Sequence, residues 1–297
     1  RTVLNKLLQR DRFTVANYQP GNYTGTLNAS AWLNSIGAAS SLAQATGANQ
    51  PIVLPWSGTN YLWLPGVGGN YVSTPDAAAN QITGDIAIVA YAAGDVWASA
   101  GQNTIISKNG LTDYLCFINT GIIQLYTGGD GGSSTIGLGI TNGSASWVAV
   151  TRVSSSGQTK AYVSADGVSW TLKDTTSNIS GAIPTSTSSV IIGTRSDGST
   201  SPFKGKLYRV QLYNGIPPIL GGAASANPVV DFNSALSSET STNGATFTAA
   251  TGEVWTLNNT GATPAQIVGS PSLLFDGAAH TMAMATTLIQ PETIYMV

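Results

Sequence analysis

The chain is a series of short apolar runs, each four to eight residues long, divided by clusters of Gly, Asn, Asp and Pro. The runs are rich in Val, Ile, Thr and aromatic residues, and several alternate between apolar and polar positions, as in Lys160–Ser164. A period of two places successive side chains on opposite faces of a strand. The pattern therefore predicts an antiparallel all-β sandwich or barrel and excludes an α/β fold.

About eleven strands are predicted between residues 51 and 216. They are Ile52–Leu54, Tyr61–Leu64, Asp85–Tyr91, Thr104–Ser107, Tyr114–Ile118, Ile122–Tyr126, Ser146–Val153, Lys160–Ser164, Ser169–Leu172, Ser189–Thr194 and Leu207–Tyr213. The dipeptide Asp166-Gly167 predicts a tight hairpin, because both residues tolerate positive φ. We expect Trp147 and Ile191 in the core of the sandwich.

Composition narrows the class of protein. Charged residues make up 9% of the chain, against about 25% in an average soluble protein. The chain is 42% hydrophobic with a net charge of −2, which is the opposite of a disordered composition. A surface of Ser, Thr, Asn and Gly is typical of secreted β-proteins and virion appendages, so we expect an extracellular or virion location. The single cysteine, Cys116, lies in an apolar run and is predicted to be a buried thiol.

Two partner classes are not expected. The sequence contains no run of about 18 apolar residues, so no membrane span is predicted. Four of the twelve basic residues fall in the first twelve positions, but no aromatic interleaving or basic stripe accompanies them. The sequence therefore does not favour nucleic-acid binding.

Three parts of the chain are distinguished by composition. Residues 1–50 form a lead-in segment, with an amphipathic helix pattern at Val3–Leu8 and a second short helix predicted near Ala29–Leu42. The first helix suits docking on a partner or packing on its own domain. Residues 51–216 form the predicted sandwich. Residues 217–297 are expected to hold a linker strand and the start of a second, truncated repeat.

The second repeat is inferred from three collinear echoes. Leu62–Gly66 is echoed by Leu273–Gly277, Thr46–Val53 by Thr260–Val268, and Ile86–Val89 by Ile294–Val297. We expect that the native polypeptide continues into a second domain, or that another copy of the chain supplies the missing strands. The alternative is that β-rich, Gly-rich segments resemble one another without a common structure.

The later part of the predicted sandwich resembles a known family. Val190–Gly198 followed by Phe203–Asn214 is similar to the closing strands of concanavalin A/laminin-G-like domains, with Ile-Gly, a polar loop, Phe-x-Gly-x-Leu and a final Tyr-Asn. Ser146–Thr151 and the hairpin Tyr162–Trp170 resemble the family's central strand and the turn after it. The resemblance covers residues 51–216 and is closest to versions in bacteriophage virion and tail proteins. It implies a two-sheet antiparallel jelly roll, here with an N-terminal extension and a partial second β-repeat.

Two functions from different classes follow from the resemblance. One is a virion structural or appendage protein, such as a phage tail, fibre or capsid-decoration protein. Its lectin-like jelly roll would assemble with other virion proteins or with copies of itself, or attach to a glycan of the host surface. The alternative is a carbohydrate-binding module of a secreted bacterial protein.

Candidate ligand sites are of two kinds. Sugar binding uses exposed aromatic rings, and the candidates near loops or strand ends are Tyr71, Trp97 and Tyr126. The resemblance also implies calcium, held by rim carboxylates, and the candidate ligands are Asp95, Asp130 and Asp197. Core packing and turn formation are the competing roles of these six residues. Ser164–Trp170 resembles the Asp-box of sialidase propellers, but one copy in a jelly roll indicates a hairpin.

Catalysis is not expected from this sequence. Jelly-roll glucanases place two Glu and an Asp on one strand in a Glu-x-Asp-x-x-Glu pattern, with the paired carboxylates about 5 Å apart. The glutamates here are Glu239, Glu253 and Glu292, with no such spacing and none inside residues 51–216. The only histidine, His280, also lies outside that range, so a triad or a zinc site of the usual kind is not predicted.

We predict that the purified protein does not hydrolyse glycans or peptides, because the paired carboxylates and a paired histidine are missing from the predicted sandwich. Reducing-sugar release from a panel of polysaccharides and cleavage of a labelled protein substrate measure this. Turnover that disappears when any one Asp of residues 51–216 is replaced would contradict the prediction.

Overall fold

A computed structural model describes residues 59–269, apart from residues 178, 179 and 239, and the backbone of six short strands outside that range. The chain divides into two compact units, residues 58–269 and the two chain ends, residues 1–57 with 270–297. The helix pattern at Val3–Leu8 and the echo at Ile294–Val297 lie outside the described residues. Among the described residues, no helix is long and apolar enough to cross a membrane.

The described strands are numbered in chain order. They are β1 (Tyr18–Thr24), β2 (Ala31–Asn34), β3 (Leu42–Ala43), β4 (Ile52–Leu54), β5 (Tyr61–Pro65), β6 (Asn70–Thr74), β7 (Ile86–Gly94), β8 (Asn103–Lys108), β9 (Tyr114–Asn119), β10 (Ile122–Thr127), β11 (Asp130–Ser133), β12 (Ser146–Arg152), β13 (Gln158–Ser164), β14 (Thr171–Ser177), β15 (Val190–Ile192), β16 (Lys204–Asn214), β17 (Val230–Asn233), β18 (Thr246–Thr248), β19 (Val254–Asn259), β20 (Gln266–Val268), β21 (Ser272–Leu274) and β22 (Ala283–Met284). Short 3-10 helices lie at Ala78–Asn80, Pro218–Leu220 and Ser234–Leu236.

In the unit formed by the chain ends, β1, β2, β3 and β22 make one antiparallel sheet in that order, and β4 pairs with β21. The helix predicted near Ala29–Leu42 is wrong, because β2 lies inside that range and β3 begins at its end. Ala favours a helix, but this short run also contains Ser, Asn and Gly, and a helix of this length is marginal on its own, so strand pairing with neighbours overrides it.

Residues 58–269 form a sandwich of two antiparallel sheets with eight described strands each. Sheet 1 has the order β14-β13-β12-β7-β16-β5-β20, and β17 pairs with the second half of β16 beside β5. Sheet 2 has the order β11-β10-β9-β8-β15-β6-β19-β18. The predicted two-sheet antiparallel jelly roll is therefore confirmed.

The core lies between the two sheets and follows the period of two. In β7, Ile86, Ile88 and Ala90 point into it, and in β12 it receives Val148 and Val150. Sheet 2 contributes alternate residues of β9, β10 and β15 to the same core. Each fully buried Ile, Leu or Val contributes about 1.5–3 kcal/mol, so this alternation is the main source of stability.

Cys116 belongs to this core. Its side chain is fully buried in β9, as predicted, and burial raises the pKa of the thiol because the thiolate would lose its hydration. The thiol is therefore protonated at neutral pH and unreactive.

Tight hairpins set the register of sheet 2. β9 and β10 are joined by Thr120 and Gly121, whose φ values are 50° and 80°. Two successive residues of positive φ define a turn whose twist matches that of the flanking strands. Asn119 then pairs with Ile122, and the core residues of both strands fall on the same face.

Strands beyond residue 216 complete the same two sheets. β17 pairs with β16, β19 with β6, and β20 with β5. The compact unit therefore runs to residue 269, past the boundary expected at residue 216. The reason is that β5 and β6 would otherwise leave apolar edges unpaired.

The expected place of Trp147 is wrong, and that of Ile191 needs refinement. Trp147 is half-buried on the outer face of sheet 1, while its neighbour Val148 points into the core. Ile191 is buried, but it is not part of the inter-sheet core. In its strand, the neighbouring Val190 and Ile192 point into that core. A strand with apolar residues on both faces does not reveal from its sequence which face is inside.

We predict that Trp255→Ala lowers the free energy of unfolding by about 3–5 kcal/mol, since the indole is fully buried against Phe232. Trp147→Ala, the matched control on the outer face, should cost clearly less. Denaturant unfolding of both variants measures the difference. Equal losses, or an unaffected Trp255→Ala variant, would mean that residues 230–268 do not share the core.

Candidate functional site

A groove of about 480 Å³ lies at the edge of sheet 1, between strands β12 to β14 and the loop before β12. The larger apolar side chains in its lining are Leu138, Ile140 and Val163. Leu138 is buried in the core, and Ile140 and Val163 pack against it. The volume falls in the usual range of small-molecule sites, about 300–1,000 Å³, although the groove is open to solvent along its length.

One rim of the groove is the turn that joins β13 to β14. It has six residues, so the tight hairpin expected at Asp166-Gly167 is wider than predicted. The Oδ1 atom of Asp166 accepts hydrogen bonds from the backbone N–H groups of Val168 and Ser169, both at 2.8 Å, and from the hydroxyl of Ser164 at 2.9 Å. The turn is therefore built around this carboxylate.

The hydrogen bonds also set the ionisation of Asp166. The N–H groups of Ser169 and Val168, with the Ser164 hydroxyl, hold the pKa of this carboxyl far below its usual range. The carboxylate is exposed at the groove and stays ionised under all ordinary conditions. A carboxyl of this kind is a fixed hydrogen-bond acceptor and is unsuited to donate a proton in catalysis.

The opposite charge comes from Lys173, which also lines the groove. β13 and β14 pair with a shift of one position between Ala161 and Tyr162, and Lys173 is the extra residue of the resulting β-bulge. A bulge redirects the side chain at that position. A Cβ at Gly139 would lie 3.8 Å from the Lys173 Nζ atom, so the lysine extends towards the loop before β12.

Hydroxyl groups complete the polar lining. Ser146, Ser169 and Thr171 border the same groove. Hydroxyls both donate and accept, so the groove combines an ionised acceptor, a charged donor and neutral groups with apolar side chains. This arrangement fits a ligand that carries many hydroxyl groups on an otherwise apolar frame.

A second surface on the outer face of sheet 1 consists of stacked aromatic rings, here called the aromatic row: Trp147, Tyr91, Tyr208 and Tyr61. The centroids of Trp147 and Tyr91 are 5.0 Å apart with an interplanar angle of 18°, and those of Tyr91 and Tyr208 are 4.7 Å apart. Tyr61 meets Tyr208 edge-on at 5.7 Å, and the Lys206 ammonium lies 5.0 Å from the Tyr61 centroid. The row crosses four neighbouring strands.

The aromatic row uses its ring faces internally. The second face of Trp147 is covered by Gly167, where a Cβ would come within 2.8 Å of the indole. Tyr91 is held between Trp147 and Tyr208. The ring faces of Trp147 and Tyr91 are therefore occupied by these contacts, which makes the groove the stronger candidate for a sugar.

The predicted aromatic ligands do not converge. Trp97 is only 2% exposed, and its Nε1 donates to the Ser144 carbonyl at 3.0 Å, so the ring has no free face. Tyr126 stacks on Phe117 in sheet 2, with centroids 5.6 Å apart. Tyr71 lies on β6, which is separated from β10 by three strands. These three residues do not form one site.

The predicted calcium ligands are also apart. Asp197 caps its own loop by accepting the N–H groups of Ser199 and Thr200 at 2.8 and 2.7 Å. Asp95 faces Lys204 and Lys206, which oppose the rise in its pKa caused by burial. The backbone of Asp130 belongs to β11, and its side chain lies outside the described residues. Within the described residues, no three His, Cys, Asp or Glu side chains gather as a metal site.

The groove residues were not recognised from sequence. The sequence predicts a turn at Asp166, which is correct, but the same carboxylate also lines the groove. The position of Lys173 could not be predicted from the sequence. β14 is a polar edge strand, and a β-bulge in such a strand does not change its apolar–polar pattern. The Asp-box resemblance at Ser164–Trp170 marks the turn but gives no indication that Lys173 lies beside it in a groove.

Comparison with known proteins supports the fold. No family model and no curated protein matches the sequence. The solved structure of a candidate carbohydrate-binding protein from Bacteroides ovatus ATCC 8483 matches with a TM-score of 0.51 and 19% identity, over 78% of this chain and 67% of that one. With the strand order above, this match shows that residues 58–269 have a concanavalin A/laminin-G-like jelly-roll fold.

More distant matches have TM-scores below one half. The heptameric SAP-like pentraxin of Limulus polyphemus matches at 0.38 with 12% identity, over 53% of this chain and 77% of that one. The LG1-3 region of the laminin α2 chain matches at 0.38 with 10% identity, over 61% and 34%.

We predict that the Asp197 carboxyl titrates at a pKa of about 2. Burial raises this pKa, but the hydroxyl and N–H of Thr200 and the N–H of Ser199 outweigh burial. Because the pKa of Asp197 is lower in the folded chain than in the unfolded chain, its ionised carboxylate stabilises the fold above about pH 4. This stabilisation is lost as the pH falls towards 2. Carboxyl chemical shifts measured by NMR across this range test it. Thr200→Val should raise the midpoint, and an unchanged midpoint in that variant would contradict the assigned cause.

Proposed function

We propose that the jelly roll of residues 58–269 is a non-catalytic carbohydrate-binding module and that the groove beside Asp166 is its binding site. The observation that carries the proposal is that an ionised, fixed carboxylate and the bulged Lys173 line the same groove as apolar side chains. The structure of similar fold from Bacteroides ovatus, a candidate carbohydrate-binding protein, agrees with this function, although 19% identity extends only to the fold.

The charges of the groove suit sugar hydroxyls. Hydrogen bonds to an ionised group contribute about 1.5–3 kcal/mol each, more than neutral ones. Asp166 accepts without reorganising, because its turn already holds the carboxylate in place. Lys173 donates from β14 of the same hairpin, so one sugar ring can meet both groups while its C–H groups rest on the partly exposed Ile140 and Val163.

The virion or appendage function is compatible with this site and stays a prediction of the sequence. Its basis is the charge-poor composition, 9% charged residues, and the resemblance to phage virion domains. A glycan-binding jelly roll on an appendage would attach the particle to a cell surface. An extracellular or virion location belongs to the same proposal.

We predict that Asp166→Asn and Lys173→Met each weaken binding to the best ligand on a glycan array by tenfold or more. A tenfold loss corresponds to about 1.4 kcal/mol, the expected scale of one charged hydrogen bond. Asp197→Asn and Lys160→Met are the matched controls, since they remove the same charges away from the groove. Isothermal titration with the array ligand measures all four.

Two results would contradict the proposal. One is an array with no ligand for the folded wild-type protein. The other is binding that Asp166→Asn and Lys173→Met leave unchanged while Trp147→Ala abolishes it, which would move the site to the aromatic row.

A further inference from the structure

A buried lysine contacts a buried amide and a carboxylate at a position outside the groove. Lys108 ends β8 and is fully buried. Its Nζ atom lies 2.5 Å from Oδ1 of Asp76 and 2.8 Å from Oδ1 of Asn80. The side chain of Asp76 is 19% exposed, and Asn80 is 3% exposed. An amine, an amide carbonyl and a proton acceptor therefore meet in one nearly dry position.

The amide of Asn80 is held in place by its surroundings. Its Nδ2 donates to the Pro75 carbonyl at 3.2 Å, and its Oδ1 accepts the N–H of Ala77 at 3.3 Å. The hydroxyl of Tyr114, which pairs with Lys108 across β8 and β9, donates to the backbone carbonyl of Asn80 at 3.4 Å and helps to fix that residue. The donors on Oδ1 polarise the side-chain carbonyl, and a fixed, polarised carbonyl is prepared for nucleophilic attack.

Hydrogen bonds also fix the orientation of the Asp76 carboxylate towards the Lys108 amine. Its second oxygen, Oδ2, accepts from Gln81 Nε2 at 2.8 Å, so Oδ1 is left facing Lys108. The hydrogen bond from Lys108 is the largest cause of a lowered pKa at Asp76, which shows how closely the two groups are coupled. The lowered pKa keeps Asp76 ionised beside Lys108, and the contact between Nζ and Oδ1 is the path by which a proton passes between them during a reaction.

We propose that Lys108 and Asn80 become joined by an intramolecular isopeptide bond, with Asp76 as the proton carrier. Nothing in the glycan-binding proposal requires this bond. It would be a covalent modification of the chain by its own residues, formed after folding has brought the three side chains together.

The chemistry balances without any external reagent. Asp76 takes a proton from the Lys108 ammonium, and the free amine attacks Cγ of Asn80 to give a tetrahedral intermediate. Asp76 passes that proton to Nδ2 and takes a second one from Nζ, which it gives to the ammonia released when the tetrahedral intermediate collapses. The Cγ–Nδ2 bond breaks, the nitrogen leaves as ammonium, and Asp76 returns to its ionised form. The product is a secondary amide between Nζ and Cγ.

Asn80 is a better acyl donor than Asp76 in this position. An ionised carboxylate resists attack by an amine, because its negative charge is spread over the reacting group. The amide carries no charge, and its nitrogen departs once protonated. Asp76 then has the one role left, proton transfer, for which its 2.5 Å contact to Nζ is suited.

The mass of the intact wild-type protein tests the proposal directly. The denatured chain should be lighter by one ammonia than its sequence requires, and proteolysis should release a branched peptide that joins Lys108 to Asn80. Lys108→Met and Asn80→Ala should each restore the full mass. Asp76→Asn should restore most of it although amine and amide are both present. Lys160→Met, which removes a lysine elsewhere, should keep the ammonia loss.

The result is decisive in either direction. A folded wild-type chain at its full sequence mass, with no branched peptide, overturns the proposal. Loss of one water, with the branch at Asp76, overturns the assignment of Asn80. Because the primary measurement uses the wild-type chain, poor folding of a variant does not affect it. The melting temperatures of the wild type and Lys108→Met then report how much the bond stabilises the sandwich.

Discussion

The inter-sheet core is the constraint on which the rest of residues 58–269 depends. β7 shows how it works, because it lies between β12 and β16 and sends Ile86, Ile88 and Ala90 inward. Alternate residues of the central strands of both sheets fill this layer. Functional groups are therefore confined to the sheet edges, the turns and the outer faces.

The candidate chemistry arises where the regular pairing breaks. Lys173 and Tyr208 are the extra residues of two β-bulges, in β14 and β16. The first lines the groove, and the second joins the aromatic row. Asp166 lies in a turn that its own carboxylate organises. Regular strands supply a rigid frame, and its irregular positions direct polar side chains outward or towards one another.

The fold was largely predictable from the sequence, whereas the groove was not. Strands and turns follow from local features of the sequence. These features are the alternation of β-branched and polar residues, the Gly-rich turns and the apolar run around Cys116, and each predicts a strand or turn that the structure contains. Groups such as Lys108 and Asp76 meet only through the tertiary fold, as their separation of 32 positions shows. At the end of a strand Lys108 resembles an ordinary solvated lysine, and only the packing of Asn80 and Tyr114 around it reveals a buried amine.

The pairing of Leu62 with Ile267 has a consequence for synthesis on the ribosome. β5 emerges early, but the strand that covers its outer edge is translated almost at the end of the unit. Until then, the growing sheet carries an open edge of unpaired backbone groups next to fully buried positions such as Leu62. Sequence-distant pairing of this kind slows folding, so the nascent chain passes through a long interval in which neighbouring copies can associate. We therefore expect translation rate and chaperone access during that interval to affect how much of the protein reaches its native state.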